Sequence, residues 1–339
     1  MSPAGRRRWA LFRAHRRGAW SLAIFAVLFG VSLFAEFVAN DRPVLVRYEG
    51  HFYVPVLRDY AEDTFGDDLL PLEADFTDPR LAERINARGW MVWPPVRSRY
   101  DTVAKDLTVP APSPPGAGHW LGTDDHARDV VARVVYGFRI SVLFGFTLTA
   151  ISSVVGIAAG AVQGYYGGVV DLAFQRFIEV WSGTPELFLL IILASIITPS
   201  FWVLLGFLLL FSWMALTRVV RAEFLRGRQL EYVRAARALG VSDAAIMVRH
   251  ILPNALVAVF SILPFTLSGS VTLLATLDFL GFGLPPGSPS LGDLVAQGKG
   301  NLQAPWLGIA AFVVLGGLLT LLVFIGEAVR DAFDPRKST

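Results

Sequence analysis

Long apolar runs separated by polar segments set the plan of this chain. The first runs from about Ala19 to Ala39, close to the ~20 helical residues that cross a bilayer's hydrocarbon. Arg6, Arg7, Arg8, Arg13, Arg16 and Arg17 precede it, and Glu36, Asn40, Asp41, Arg42 and Pro43 mark its other end. No small-residue cleavage site closes the run, so it reads as a retained span with its N-terminus inside. Apolar runs resume at about Ile140–Gln163, Leu187–Leu216, Ala255–Leu277 and Leu307–Ile325. The run Leu187–Leu216 is broken at Thr198-Pro199-Ser200. Read as one span, it would place Arg218, Arg221, Arg226, Arg228, Arg234, Arg237 and Arg249 outside, together with Arg330, Arg336 and Lys337 of the tail. Read as two, with a third helix starting near Leu172, it keeps both basic segments inside. The positive-inside bias favours two spans and hence six in all.

Between the first two spans lies a polar insert of residues 40–137, with 16 acidic and 11 basic residues and a net charge of −5. Asp78-Pro79 fits an N-cap followed by a first-turn proline, with a short helix to Ala87. Beyond it stand Trp90, Trp93 and Tyr100 and the proline-rich linker Pro110–Gly118. The insert is read as irregular and packed on the outer face. Its aromatic patch is a candidate contact for a soluble partner, with plain packing on the membrane surface as the alternative. Thr123 is expected to cap a helix from Asp124 to Tyr136. Asp124, Asp125, His126 and Asp129 could also be read as a metal site, but carboxylates at a helix start are explained by capping and the dipole, and no metal is expected. In the next span Ser152, Gly156, Gly160, Gly164 and Gly168 recur every four residues, a narrow groove for close helix approach.

Composition supports the membrane reading. The chain is 54% hydrophobic and 17% charged, with a mean hydropathy of +0.51, outside the range of ordinary soluble domains. The net charge of +2 is too small to point to nucleic acid. There is no cysteine, so neither a disulfide framework nor a thiolate metal site exists. A phosphate-binding loop is absent, since Gly298-Lys299-Gly300 lacks the required flanks, and no hydrolase or zinc-protease signature occurs. ATP hydrolysis by the chain itself is not expected. Glu179 and Glu186 fall in the third helix region and are candidates for a pathway, because ionisable groups at such depth are costly, with an interfacial location as the alternative.

The segment Glu231–Leu256 is basic and amphipathic between two apolar runs. Tyr232–Leu239 holds helix formers without a breaker. Gly240 fits the residue after a helix end, with positive φ. Ser242 and Asp243 are placed to cap a second short helix, Ala244–Ile251, which Pro253 should stop or kink. The product is helix, corner, helix, with arginines outside.

Arg234–Gly240, reading R-A-A-R-A-x-G, and Arg249–Asn254, reading R-H-I-L-P-N, resemble the EAA loop of ABC importer permeases, in the dipeptide/oligopeptide branch. Arg234 stands where the broader motif has Glu and His250 where it has Ile. Leu121–Asp129 resembles that branch's G-T-D-x-x-G-R-D signature, with Ala127 in place of Gly. The segment L-D-F-L-G-F-G after the fifth span and A-P-W before the sixth are similar to the same branch. Gly89–Pro95 and His119–Asp125 are similar to the Yej-type subgroup, peptide importers linked to microcin C uptake.

The resemblance implies an all-α polytopic membrane protein of the type I ABC importer permease fold, with six transmembrane helices and a large periplasmic insert between helices 1 and 2. Its expected parts are a cytoplasmic basic terminus 1–18, a first span 19–39, the insert 40–137, a core 138–330 containing a cytoplasmic coupling loop 218–254, and a cytoplasmic tail 331–339. The coupling loop would act through Glu231, Arg234, Ala235, Ala236, Arg237, Gly240, Ser242, Asp243, His250, Leu252 and Pro253. Trp90, Trp93 and Tyr100 would meet a periplasmic binding protein. The implied partners are a second, different permease subunit, a cytoplasmic ATPase carrying ATP and Mg, and membrane lipid. The implied location is the bacterial inner membrane with both termini cytoplasmic. The readings left open are an ABC permease for another solute such as nickel, a secondary transporter with its own ion site, and a membrane anchor or receptor.

Overall fold

The computed structural model describes residues 3–66, 72–105 and 107–333. Its order is α1 (Pro3–Ala14), α2 (Arg16–Leu33), α3 (Ala35–Val38), β1 (Leu45–Tyr48), β2 (His51–Tyr53), α4 (Pro79–Arg88), β3 (Gly89–Val92), α5 (Val130–Tyr166), α6 (Gly168–Ser182), α7 (Glu186–Ile196), α8 (Phe201–Gly227), α9 (Glu231–Ala238), α10 (Asp243–Ala245), α11 (Leu252–Phe279), α12 (Leu291–Gly300) and α13 (Pro305–Phe333). Among the described residues α2, α5, α8, α11 and α13 are each long and apolar enough to cross a membrane. The pair α6 and α7, bent by 66° at a short break, makes a sixth. The break falls at Gly183-Thr184-Pro185, where proline cannot donate to the preceding turn. Of the expected tail 331–339, residues 334–339 lie outside the described residues, Arg336 and Lys337 with them.

The α5 helix is the axis of the molecule. It has 37 residues, about 55 Å at 1.5 Å per residue, against roughly 30 Å of hydrocarbon. The helix is therefore long enough to project beyond the bilayer interior. The glycine stripe faces α8: an added Cβ on Gly156 would meet the Trp213 carbonyl at 2.7 Å, and one on Gly164 the Arg221 carbonyl at 2.6 Å. Gly168 at the end of the repeat has φ +54° and open space around it, so the groove ends at Gly164. Apolar cores fill the remaining seams. Phe144, Leu148, Leu204, Leu208 and Leu274 bind α5, α8 and α11 together. Phe25, Phe138, Val142, Val271, Leu318 and Leu322 join α2, α5, α11 and α13.

The insert has its own order. The strands β2-β1-β3 form an antiparallel sheet, with Val46 opposite Tyr53 on one side and Met91 on the other. Val46, Tyr48, Phe65, Phe76, Leu81 and Ile85 bury one face of it under α4. Asp78 caps α4 as expected, accepting from the Arg80 N–H at 2.9 Å. The sheet departs from the reading of this segment as irregular apart from one short helix. The helix expected from Asp124 begins later, at Val130, as the start of α5. Asp129, not Thr123, is the N-cap, accepting from the Ala132 N–H at 2.9 Å. The reason lies in Asp124. Its buried carboxylate accepts from the N–H groups of His126 and Arg128 at 2.9 and 2.8 Å, and Ala127 has φ +59°, so residues 124–128 form a turn instead of a helix. Thr123 accepts from the Ser113 N–H at 2.9 Å and holds the proline-rich linker.

Candidate coupling site

The Glu231–Pro253 segment folds as a helix, a corner and a second helical stretch. The α9 helix buries Val233 and Ala236 and leaves Glu231, Arg234, Ala235 and Arg237 exposed. Its end is a Schellman arrangement: the Val241 N–H bonds the Ala236 carbonyl at 3.1 Å and the Gly240 N–H bonds the Arg237 carbonyl at 3.0 Å. Gly240 has φ +79°, the left-handed conformation that a Cβ disfavours. Leu239 stands at the tip with 85% of its surface exposed.

Beyond the corner the expectation needs correction. Ser242 has extended backbone but makes no side-chain cap; its carbonyl accepts from the Ile246 N–H at 2.9 Å. The helix expected over Ala244–Ile251 is three residues of α10 followed by a π-helical turn, Ile246–Ile251. This turn runs into α11 without a stop. Pro253 lies in the first turn of α11, where its missing N–H costs little. Leu252 is half-buried beside it. The His250 carbonyl accepts from the Tyr232 hydroxyl at 3.3 Å, which ties the two arms together. Ile246 and Ile251 bury into one core with Val220, Phe224 and Tyr165. The corner therefore sits against α5 and α8 by its apolar side and presents arginines and Leu239 outward.

The other candidate residues are not gathered there. Glu179 is on an exposed face of α6, paired with Arg176 at 2.7 Å. Glu186 opens α7 after the bend and is half-buried. Trp90 is exposed and packs edge-on to Phe52, 6.3 Å between ring centres. Trp93 is half-buried under Arg97, whose guanidinium lies 5.3 Å from its ring centre. Tyr100 packs on Tyr136 of α5 at 5.0 Å. Of the three aromatic candidates, Trp90 alone faces outward. Asp124, Asp125 and His126 lie close enough to hold an ion. Asp124, however, is bonded by Arg128 at 2.7 Å and faces Arg133 Nε at 3.3 Å, so its charge is already balanced by guanidinium groups. Sequence reasoning misses Tyr165, whose hydroxyl donates to Asp243; a separation of 78 positions gives no local signal.

The comparisons with known proteins agree with this architecture. Residues 152–339 match the model of the family described as binding-protein-dependent transport system inner membrane component. The chain is 59% identical to the inner membrane ABC transporter permease protein YejE of Escherichia coli K12, over 100% of this chain and 99% of that one. It is 55% identical to a protein named as a peptidoglycan transport system permease, YejE of Agrobacterium fabrum, over 99% of this chain and 94% of the relative. The oligopeptide permease OppC of Lactococcus lactis is 37% identical over 66% of this chain and 77% of its own length. Among solved structures, a chain of the inward-facing MetNI methionine ABC transporter superposes with a TM-score of 0.50 at 18% identity, covering 60% of this chain and 96% of that one. That likeness concerns the fold. With its six spans and these relatives, the chain belongs to the family of inner membrane components of binding-protein-dependent transport systems.

Proposed function

We propose that this chain is one transmembrane subunit of an ATP-driven importer of peptides, and that the Glu231–Pro253 corner docks on the ATPase. The observation that carries the docking is the shape of the corner: a Gly240 turn with φ +79°, an exposed Leu239 at its tip and arginines on its outer side. The names of two relatives, which speak of peptidoglycan and oligopeptide transport, support a peptide-type substrate. Both termini and the corner face the cytoplasm in this reading, and the insert faces the periplasm, where Trp90 meets the binding protein. A second, different permease subunit completes the pathway. ATP and Mg act on the partner ATPase. ATP closes the ATPase dimer, the corner passes the movement to the spans, and the pathway changes from inward-open to outward-open. Each ligand drives the change only by its preference for one state.

The test is uptake of a labelled casein-hydrolysate peptide pool into proteoliposomes holding both permeases and the ATPase, with the binding protein added. ATP-dependent uptake is expected. Uptake driven by an ion gradient without ATP would place the chain among secondary transporters, and uptake of a metal in place of peptides would reject the substrate class.

A further inference from the structure

Tyr165 lies one residue before the end of α5 and is 3% exposed. Three separate elements meet on it. Its hydroxyl donates to Asp243, the first residue of α10. Arg237, in the last turn of α9, lies over its ring at 5.2 Å from the centre. Arg228, directly after α8, donates to its carbonyl at 3.2 Å. The chain beyond is shaped around the same arginine: Gly167 has φ +64°, and a Cβ there would fall 2.1 Å from Arg228 Nη1.

We propose that Tyr165 is the positioning residue that passes movement of the corner into the α5–α8 pair. The inference rests on the docking proposed above. Apolar contacts such as Val233, Ala236, Ile246 and Ile251 hold the corner in place but are non-directional. A hydroxyl–carboxylate bond and a guanidinium over a ring have preferred directions and fix orientation. Tyr165 grips one residue on each side of Gly240, so a rotation of the corner pulls on the end of α5. The backbone contact of α5 with α8 along Gly156, Gly160 and Gly164 makes the two helices move together.

The experiment uses the complete transporter in proteoliposomes and reads labelled casein-hydrolysate peptide imported per ATP hydrolysed. Tyr165→Phe keeps the ring under Arg237 and removes only the hydroxyl. Asp243→Ala removes the acceptor, and Asp243→Asn keeps a neutral one. Tyr165→Phe and Asp243→Ala should each lower the ratio about tenfold to a hundredfold, the range expected for one lost charge-assisted bond. Asp243→Asn should lower it less. The double variant should be no worse than either single, as expected for partners in one interaction. The ATPase should co-purify normally with Tyr165→Phe, whose side chain is buried behind the corner. An unchanged ratio in Tyr165→Phe, or additive losses in the double variant, overturns the proposal. Loss of the ATPase from the Tyr165→Phe complex also overturns it, because the residue would then shape the docking surface itself. The docking reading fails by a different result: normal uptake and ATPase binding in Gly240→Val.

Discussion

Gly160→Ala tests the contact on which the core depends. An added Cβ at this position would lie 2.7 Å from the Thr217 carbonyl oxygen, 2.8 Å from Val220 Cβ and 3.0 Å from the Arg221 nitrogen. Comfortable separations are about 3.5–4.0 Å, so α8 must retreat by roughly half an ångström to one ångström. Two of the three atoms are backbone, so no rotamer change relieves the clash. Overpacking of this kind costs about 1–3 kcal/mol. Alanine also gains about 1 kcal/mol of helix propensity over glycine, which offsets part of the cost. Gly206→Ala separates the two effects. Gly206 lies in α8 with nothing within 4 Å of its added Cβ, so that variant gains propensity without a clash. The difference between the two variants isolates the steric cost, about 1–3 kcal/mol. Thermal unfolding of the purified permease in one detergent should place Gly160→Ala several degrees below Gly206→Ala. If the two melt together, α5 and α8 are not in backbone contact at Gly160.

Gly240→Val should insert normally yet lose ATPase association and uptake, since a left-handed residue with a branched Cβ is disfavoured by about 1–2 kcal/mol; Gly240→Ala should be milder, and membrane levels, pull-down of the ATPase and uptake check both. Asp124→Ala leaves the buried Arg128 and Arg133 without their shared carboxylate and should cost about 3 kcal/mol or more, read as a lower unfolding midpoint. Chelating divalent metal should leave the wild-type midpoint unchanged, because guanidinium groups already balance Asp124. Leu230→Cys, made in a chain with no native cysteine, should resist an impermeant thiol reagent in intact cells and react after lysis; labelling in intact cells would reverse the topology.

Much of the plan is legible because its signals are local. Apolar run length and arginine placement mark the six spans. The four-residue spacing of Gly156, Gly160 and Gly164 marks the groove that α8 occupies. Gly240 is legible because few other residues tolerate φ +79° at a helix end. The sheet is hidden by its strands of three and four residues, too short to show a clear alternation. The cap of α5 is ambiguous in sequence because Thr123 and Asp129 both suit an N-cap, and the choice depends on the buried pairing of Asp124 with Arg128 and Arg133. The π-helical turn before Pro253 leaves no composition signal. Tyr165 does not stand out beside Tyr166, since its partners come from distant segments that meet only in the folded chain.

The paired stem of segment 40–96 predicts that this part of the insert can open on its own. The Asn40 N–H bonds the Val96 carbonyl at 3.0 Å, the Val96 N–H bonds the Val38 carbonyl at 3.0 Å, and the Tyr136 hydroxyl donates to the Ala39 carbonyl at 3.0 Å. Segment 40–96 thus leaves the helical body and returns to it at one point. Inside that closed loop the sheet and α4 bury a core of their own. Closing a longer loop costs only about 0.6 kcal/mol for each doubling of its length, so the helical body is nearly indifferent to what the loop contains. Such a loop can melt while its stem stays shut. Amide hydrogen exchange should therefore show β1 and β3 opening together under mild denaturant while α5 beyond Tyr136 remains protected; exchange of both segments at a single rate would show instead that insert and spans unfold as one unit.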